Sequence, residues 1–323
     1  LYGLSNQAKF LLPVTGAYKA LVESHFQVDF LFDETLTLER VQSFPVVFLP
    51  NVAVMNKSET AIFAQYVEQG GMLIATQDTS LYSGTGQRLP NFQLSKVFGV
   101  DYKDTLDCET HYLRNIPEPY GRDIDPRQYV LNLGPVHRVK LTTAQAFGDL
   151  HDSFMKRYFP DHFFSHNIHP PYKRETDALY VNRYGKGTCV YLPHGCDASY
   201  ANIYELPAHR QLIRNIVQSL CPEPEFNIHA PLNVEAFVNR KDERRLIHLV
   251  AFNPIRQAVT LPDLDKPIRP SSRMEEPALY EASIECRELI KKATAFHPTT
   301  QIKIQGKQIE IFCREVHEVI VVE

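Results

Sequence analysis

The chain has no paired cysteines, no long hydrophobic run and no excess of positive charge, and each absence removes a class of protein. Its six cysteines, at 108, 189, 196, 221, 286 and 313, are scattered without a Cys-x-x-Cys pair. That argues against a disulfide framework or a zinc site and fits a reducing, cytoplasmic compartment. Cys189, Cys221 and Cys313 fall in apolar patterns and read as small core residues. No apolar stretch approaches the roughly 18–20 residues of a membrane helix, so no membrane partner is expected. The formal net charge of −4 offers no electrostatic case for nucleic acid. Gly84-x-Gly86 lacks the third glycine and the following helix of a dinucleotide fingerprint, and no cofactor is expected. The first residue is Leu1, with no signal peptide or basic n-region, and on that ground the chain reads as a piece of something longer.

What is present is globular. Of 323 residues, 44% are hydrophobic and 22% charged, values that predict a sizeable core and about two domains. The first 220 residues alternate apolar strands with amphipathic helices. KFLL (9–12) and VDFLF (28–32) read as strands around a helix near 16–25, and VVFL (46–49) and MLIA (72–75) as strands buried on both faces. Between the latter two, Asn56 and Glu59 stand in capping-box spacing. Ile62, Phe63, Tyr66 and Val67 form an apolar stripe, and Gly70-Gly71 closes the helix. ALYVN (178–182) and CVYL (189–192) join through a hairpin-like turn, and Pro207 opens a further helix. From Asp101 to Arg174 periodicity is poor, which predicts long loops with short strands. After CPEPEF (221–226) the texture turns to alternation: VEAFV and LIHLVAF around a charged turn, then IKIQ, QIEIF and EVIVV. That pattern predicts a small antiparallel sandwich. The expected domains are therefore 1–222, an α/β doubly wound domain, and 223–323, a β-sandwich.

The runs VVFLPN, YVEQGGMLIATQDTSLY and FQLSKVFGV, with ALYVNRYGKGTCVYLPHG, YELPAHRQLIRNIVQSLCPEP and VEAFVNRKDERRLIHLVAFNP, carry a resemblance. They are similar to the middle, trimerisation-type domain and the C-terminal β domain of β-galactosidase-like and hypothetical glycosyl hydrolases. The resemblance covers about Gly16 to Val322 and implies a flavodoxin- or amidotransferase-like sheet, carbohydrate as partner, an N-terminal catalytic barrel outside this chain, and homo-oligomers, trimers in the relatives. The first domain also resembles the class I amidotransferase fold, whose glutaminase needs a Cys in the elbow after a central strand. Here that elbow is Ala75-Thr76-Gln77-Asp78-Thr79, with Gln77 in the nucleophile's place. His194 stands roughly where the general base would, and Asp197 follows it by three residues instead of the His-x-Glu spacing.

No catalytic residues are assigned. The candidate substrate-binding residues come from three places. His162, His166, His169 and Tyr172 lie in a loop of unusual composition; its histidine spacings of four and three invite a metal, but Pro170-Pro171 argues against the single helix such ligation needs. No metal is expected there, and aromatics with polar partners suit a sugar instead. Ser80 and Tyr82 follow the central strand, where doubly wound folds keep their sites. His194 is the third. Glu275-Glu276, Asp263/Asp265 and Asp123/Asp125 read as solvated loop charge, and Arg240 to Arg245 as a hairpin tip. The resulting expectation is a non-catalytic accessory and oligomerisation portion of a glycoside-hydrolase-like protein. Its alternatives are a stand-alone carbohydrate-binding module or a free-standing enzyme using His194, Asp197 and the 161–172 loop.

Overall fold

The apolar runs at 46–49, 72–76 and 187–192 become three neighbouring parallel strands, and they organise everything else. The computed structural model describes residues 7–153, 170–202, 205–221, 223–251, 254–256, 272–274 and 279–323. It divides into two compact units, residues 1–20 with 29–222, and residues 21–28 with 223–323.

In the first unit a seven-stranded sheet is built from β1 (Val46–Leu49), β2 (Met72–Thr76), β3 (Thr110–Arg114), β4 (Val130–Leu133), β5 (Gln145–Ser153), β6 (Pro171–Tyr184) and β7 (Gly187–Leu192). Its spatial order is β1-β2-β7-β6-β5-β3-β4. Val47 pairs with Leu73, and Cys189 with Leu73 on the other side, both in parallel. From β7 outward each pairing is antiparallel, so the sheet is mixed, with parallel pairing confined to β1, β2 and β7. Burial follows position. β2 and β7 are inner strands covered on both faces, whereas β1, at the edge, alternates.

Six α-helices attend this sheet: α1 (Leu12–Val22), α2 (Leu38–Gln42), α3 (Lys57–Glu68), α4 (Ser95–Phe98), α5 (Cys196–Tyr200) and α6 (Pro207–Leu220). The Asn56 cap forms as its spacing predicts: the side-chain oxygen accepts from Glu59 N–H at 2.9 Å, and Glu59 accepts from Asn56 N–H at 2.8 Å. Phe63, Tyr66 and Val67 pack α3 on the sheet, and Leu212, Ile213 and Ile216 are the buried apolar residues of α6.

Two readings of the sequence are corrected. KFLL (9–12) is helical and leads directly into α1, because four apolar residues fit a strand or a helix equally well and the helix that follows decides between them. VDFLF (28–32) has no strand partner. The stretch from Asp101 to Arg174 is also more regular than its periodicity suggests. It supplies β3, β4 and β5, the start of β6, and a separate antiparallel ribbon of Val100–Leu106 with Val136–Leu141.

The second unit holds two four-stranded antiparallel sheets. One comprises β8 (Phe226–His229), β11 (Tyr280–Cys286), β14 (Gln308–Cys313) and β13 (Gln301–Gln305); the other β9 (Val234–Lys241), β10 (Arg244–Ala251), β15 (His317–Val322) and β12 (Ala293–Ala295). Their inward residues, among them Ile247, Leu249, Ile284, Ile309 and Ile320, share one core. Residues 21–28 belong here for a specific reason. The Gln27 amide donates to Ala236 O at 3.1 Å and accepts from Val238 N–H at 2.7 Å, while His25 Nε2 donates to Val234 O at 3.0 Å. A side-chain amide thus stands in for a neighbouring strand and closes the free edge of β9. All six cysteines are free thiols, and among the described residues no helix is long and apolar enough to cross a membrane.

Candidate functional site

The carboxyl ends of β1, β2 and β7 gather a chain of polar groups in the first unit. Two elbow residues there take left-handed backbone, Asn51 with φ 51° and Gln77 with φ 44°, a conformation that costs a non-glycine residue of order 1–3 kcal/mol unless its surroundings enforce it. They do. Gln77 N–H donates to Leu192 O at 2.9 Å, and its carbonyl accepts from Tyr191 OH at 2.8 Å. The Gln77 side chain lies over Gly195, where a Cβ would stand 3.0 Å from its amide nitrogen.

Behind the elbow the network is buried. Asn51 N–H donates to Thr76 Oγ1 at 2.8 Å, and the Thr76 hydroxyl donates to Asp197 Oδ2 at 2.8 Å. Ala198 N–H reaches the other carboxyl oxygen, also at 2.8 Å. Asp197 is fully buried, and burial pushes its carboxyl up to about 7, so near neutrality it holds a proton that an exposed carboxyl would have lost. α1 approaches this point closely, since a Cβ on Gly16 would fall 1.8 Å from the Asp197 carbonyl oxygen.

In front of the elbow a second chain runs to the surface. Asp78 N–H donates to Asn51 Oδ1 at 2.9 Å. His137 Nε2 donates to Asp78 Oδ1 at 2.7 Å, His137 Nδ1 lies 3.0 Å from Thr105 Oγ1, and Thr105 Oγ1 lies 2.8 Å from Tyr102 OH. Arg88 donates to the same Tyr102 hydroxyl and lies over its ring, 4.8 Å from the centroid. Burial alone would raise the Asp78 carboxyl, but the His137 hydrogen bond and the charges of His137, Lys9 and Arg88 outweigh it and hold the group below its ordinary range. Asp78, Tyr82 and Tyr102 are partly exposed and Arg88 is exposed. The edge thus offers a carboxylate acceptor, a guanidinium donor and two phenol rings to anything that reaches it.

His194, one of the residues singled out in the sequence, turns away from this edge. It is fully buried, and its Nε2 donates to Ala178 O at 3.0 Å; its ring lies 5.6 Å from that of His111. Burial pushes His194 down to about 3 and His209 to about 4, and lowers His111 strongly, so all three are neutral imidazoles of the interior. Asp197 is bonded to Thr76 and Ala198. Ser80 is also buried, its hydroxyl accepting from Leu94 N–H at 3.2 Å, while Tyr82 sits on the rim. Tyr172 is 53% exposed near the start of β6, eight residues before Tyr180, or about 25 Å along an extended strand. His162, His166 and His169, with Asp263, Asp265, Glu275 and Glu276, lie outside the described residues. Asp123 and Asp125 pair with Arg214 and Arg127 at the surface.

Sequence reasoning reached the loop that carries Asp78 and Tyr82 and missed His137, Thr105, Tyr102 and Arg88. Asp78 and His137 stand 59 positions apart, and no local pattern announces that pairing.

No protein-family model matches the sequence, and no curated protein matches it. Solved structures do. The chain is similar to an α-L-fucosidase isoenzyme 2 from Paenibacillus thiaminolyticus, with TM-score 0.74 and 16% identity, over 97% of this chain and 45% of that one. A β-galactosidase from Bacillus circulans sp. alkalophilus matches with TM-score 0.62 and 14% identity, over 97% of this chain and 38% of its own. One from Rahnella sp. R3 gives 0.61 and 14%, over 96% and 36%. The chain spans less than half the length of these proteins. The resemblance read from the sequence holds at the level of fold: nearly the whole chain shares the architecture of part of these glycoside hydrolases.

Proposed function

We propose that this chain is the non-catalytic accessory and assembly portion of a glycoside-hydrolase-like protein that acts on carbohydrate. The observation that carries the reading is a likeness covering 97% of the chain and only 38–45% of a galactosidase and a fucosidase. On it, the domain at 1–222 is the flavodoxin- or amidotransferase-like, trimerisation-type module and the domain at 223–323 a β-sandwich, a description that two four-stranded sheets around one core suit. The pair of carboxylates that glycoside hydrolysis requires would belong to a neighbouring barrel, and the assembly would be a cytoplasmic homotrimer. The elbow supports a degenerate site: Gln77 keeps the left-handed backbone of a nucleophile position, but a carboxamide cannot serve as the covalent nucleophile.

The rim around Asp78 is then a recognition surface. Its carboxylate accepts from sugar hydroxyls, Arg88 donates to them, and Tyr82 presents its ring to the apolar face of a pyranose. Tyr172, with His162, His166 and His169, is proposed as a further contact. A stand-alone carbohydrate-binding module is the second reading, favoured by the same exposed rim. Titration of the chain with β-galactosides and α-L-fucosides, watched by calorimetry alongside a hydrolysis assay, tests both. Binding without turnover is expected, weakened about tenfold in Arg88→Ala, the loss of one hydrogen bond to a charged group at ~1.4 kcal/mol. Hydrolysis of either glycoside by this chain overturns the non-catalytic role, and binding unchanged in Arg88→Ala overturns the rim.

A further inference from the structure

The antiparallel half of the first unit's sheet has a polar face that the site at the strand ends leaves unused. His111, Leu113 and Leu150 are fully buried on one side of β3 and β5, so strand alternation turns Tyr112, Arg114, Asp149 and His151 to the other. The register sets them in two rows. Arg114, Asp149 and Asp177 stand opposite one another across β3, β5 and β6, and Tyr112, His151 and Arg174 form the neighbouring row. Tyr129, just before β4, is their hub. Its ring meets those of Tyr112 and His151 edge to face, with centroids 6.2 and 5.2 Å away, and the Arg114 guanidinium lies over it at 4.6 Å.

Two side chains there are held in place with a polar atom left over. Arg114 donates from Nη1 to Tyr129 OH at 2.8 Å, and its buried Nε has no acceptor among the described residues. His151 Nδ1 lies 3.2 Å from Tyr172 O, and a carbonyl only accepts, so the ring proton sits on Nδ1. In the neutral ring Nε2 then carries a lone pair, which is also buried and without a partner among the described residues. An unpaired donor and an unpaired acceptor thus share Tyr129 as neighbour. Leaving both so costs free energy that a bound group of complementary kind recovers. A hydroxyl is such a group, since it accepts and donates at once. The charges favour a neutral ligand, because the guanidiniums of Arg114 and Arg174 are matched by the carboxylates of Asp149 and Asp177. Arg174 binds both acids, Asp149 at 2.6 Å, and Asn115 donates to the second oxygen of Asp149 at 2.7 Å.

We propose that this face binds a neutral saccharide whose hydroxyls accept from Arg114 Nε and donate to His151 Nε2. Tyr172, whose carbonyl holds His151, is exposed and adds a ring beside them. Four strands, three spacings of ~4.8 Å, span about 14 Å. That is more than one sugar ring, so the ligand is a short oligosaccharide. The ligand class is the one proposed for the Asp78 rim, but the rim and this face share no residue and are tested apart.

Nitrogen NMR of the His151 ring in the full chain, titrated with galactotetraose, tests it, with Arg114→Ala and Arg88→Ala as variants and tetragalacturonate as a charged comparator. The expected result is an upfield shift of the His151 Nε2 resonance as it accepts a hydroxyl proton. The concentration at half shift should rise about tenfold in Arg114→Ala, the loss of one hydrogen bond to a charged group, and stay unchanged in Arg88→Ala. A resonance that does not move overturns this face and leaves the rim untouched. A half-shift concentration unchanged in Arg114→Ala, or raised as much in Arg88→Ala, also overturns it. A tetragalacturonate that acts at lower concentration than galactotetraose overturns the neutral ligand class.

Discussion

Replacing Asp197 by Asn should flatten part of the pH dependence of stability, and the size of the effect follows from the site. The Asp197 carboxyl is pushed up to about 7 from 3.8, so between those values the folded chain holds a proton that the unfolded chain has released. Stability contributed by this proton is fully present below pH 4 and is lost as pH rises toward 7. A shift of that size corresponds to about 4 kcal/mol at 1.36 kcal/mol per pH unit. Asp197→Asn removes the titration at some cost in hydrogen bonding. Its amide offers one acceptor where the carboxyl serves both the Thr76 hydroxyl and Ala198 N–H, so about 1 kcal/mol is lost at low pH. The assay is urea unfolding of both proteins at several values between pH 4 and 8, read as the difference between them so that other titrating groups cancel. The variant should be less stable at pH 4 and overtake the parent by pH 8. Parallel curves across the range would refute a protonated Asp197.

Other consequences can be checked with the same unfolding assay. The neutral interior imidazoles work in the opposite sense: with His194 near 3 and His209 near 4, stability present above the unfolded value of about 6.5 is lost as pH falls toward 3, so His194→Gln should lose stability less steeply than the parent from pH 6.5 to 4. Gly16→Ala drives a Cβ to 1.8 Å from the Asp197 carbonyl and should cost at or above the upper end of the ~1–3 kcal/mol typical of overpacking. Gln77→Gly relieves a φ of 44° while giving up one long contact, its amide to Pro135 O at 3.4 Å; the expected change is a gain of up to ~1 kcal/mol, and a loss above that size would mean the side chain has a structural role beyond this contact.

What was legible in the sequence was local. Asn56 with Glu59 and the alternation of residues 301–322 are decided by neighbours a few positions away, and each appears as read. KFLL misleads because four apolar residues fit a strand or a helix equally well, and the helix that follows decides between them. The stretch from Asp101 to Arg174 hides its strands because they are half covered: β5 has only its last residues buried, so the period-2 signal is diluted. The site was harder still. The loop that carries Asp78 was visible by its place after a central strand, though Ser80 and Tyr82 were the residues named from it, and the partners His137, Thr105 and Tyr102 come from a different ribbon and are joined to Asp78 only by tertiary pairing. His194 illustrates the converse. Its position after a strand suggests a site residue, and the direction of its ring is set by the Ala178 carbonyl, which no sequence pattern reveals.

The most direct test of the central claim is the mass of this chain in solution, by light scattering over a range of concentrations. The account predicts a stable species of three times the chain mass, the trimer expected of an assembly portion. A monomer at every concentration would contradict the assembly role and leave carbohydrate recognition at the Asp78 rim as the function that remains.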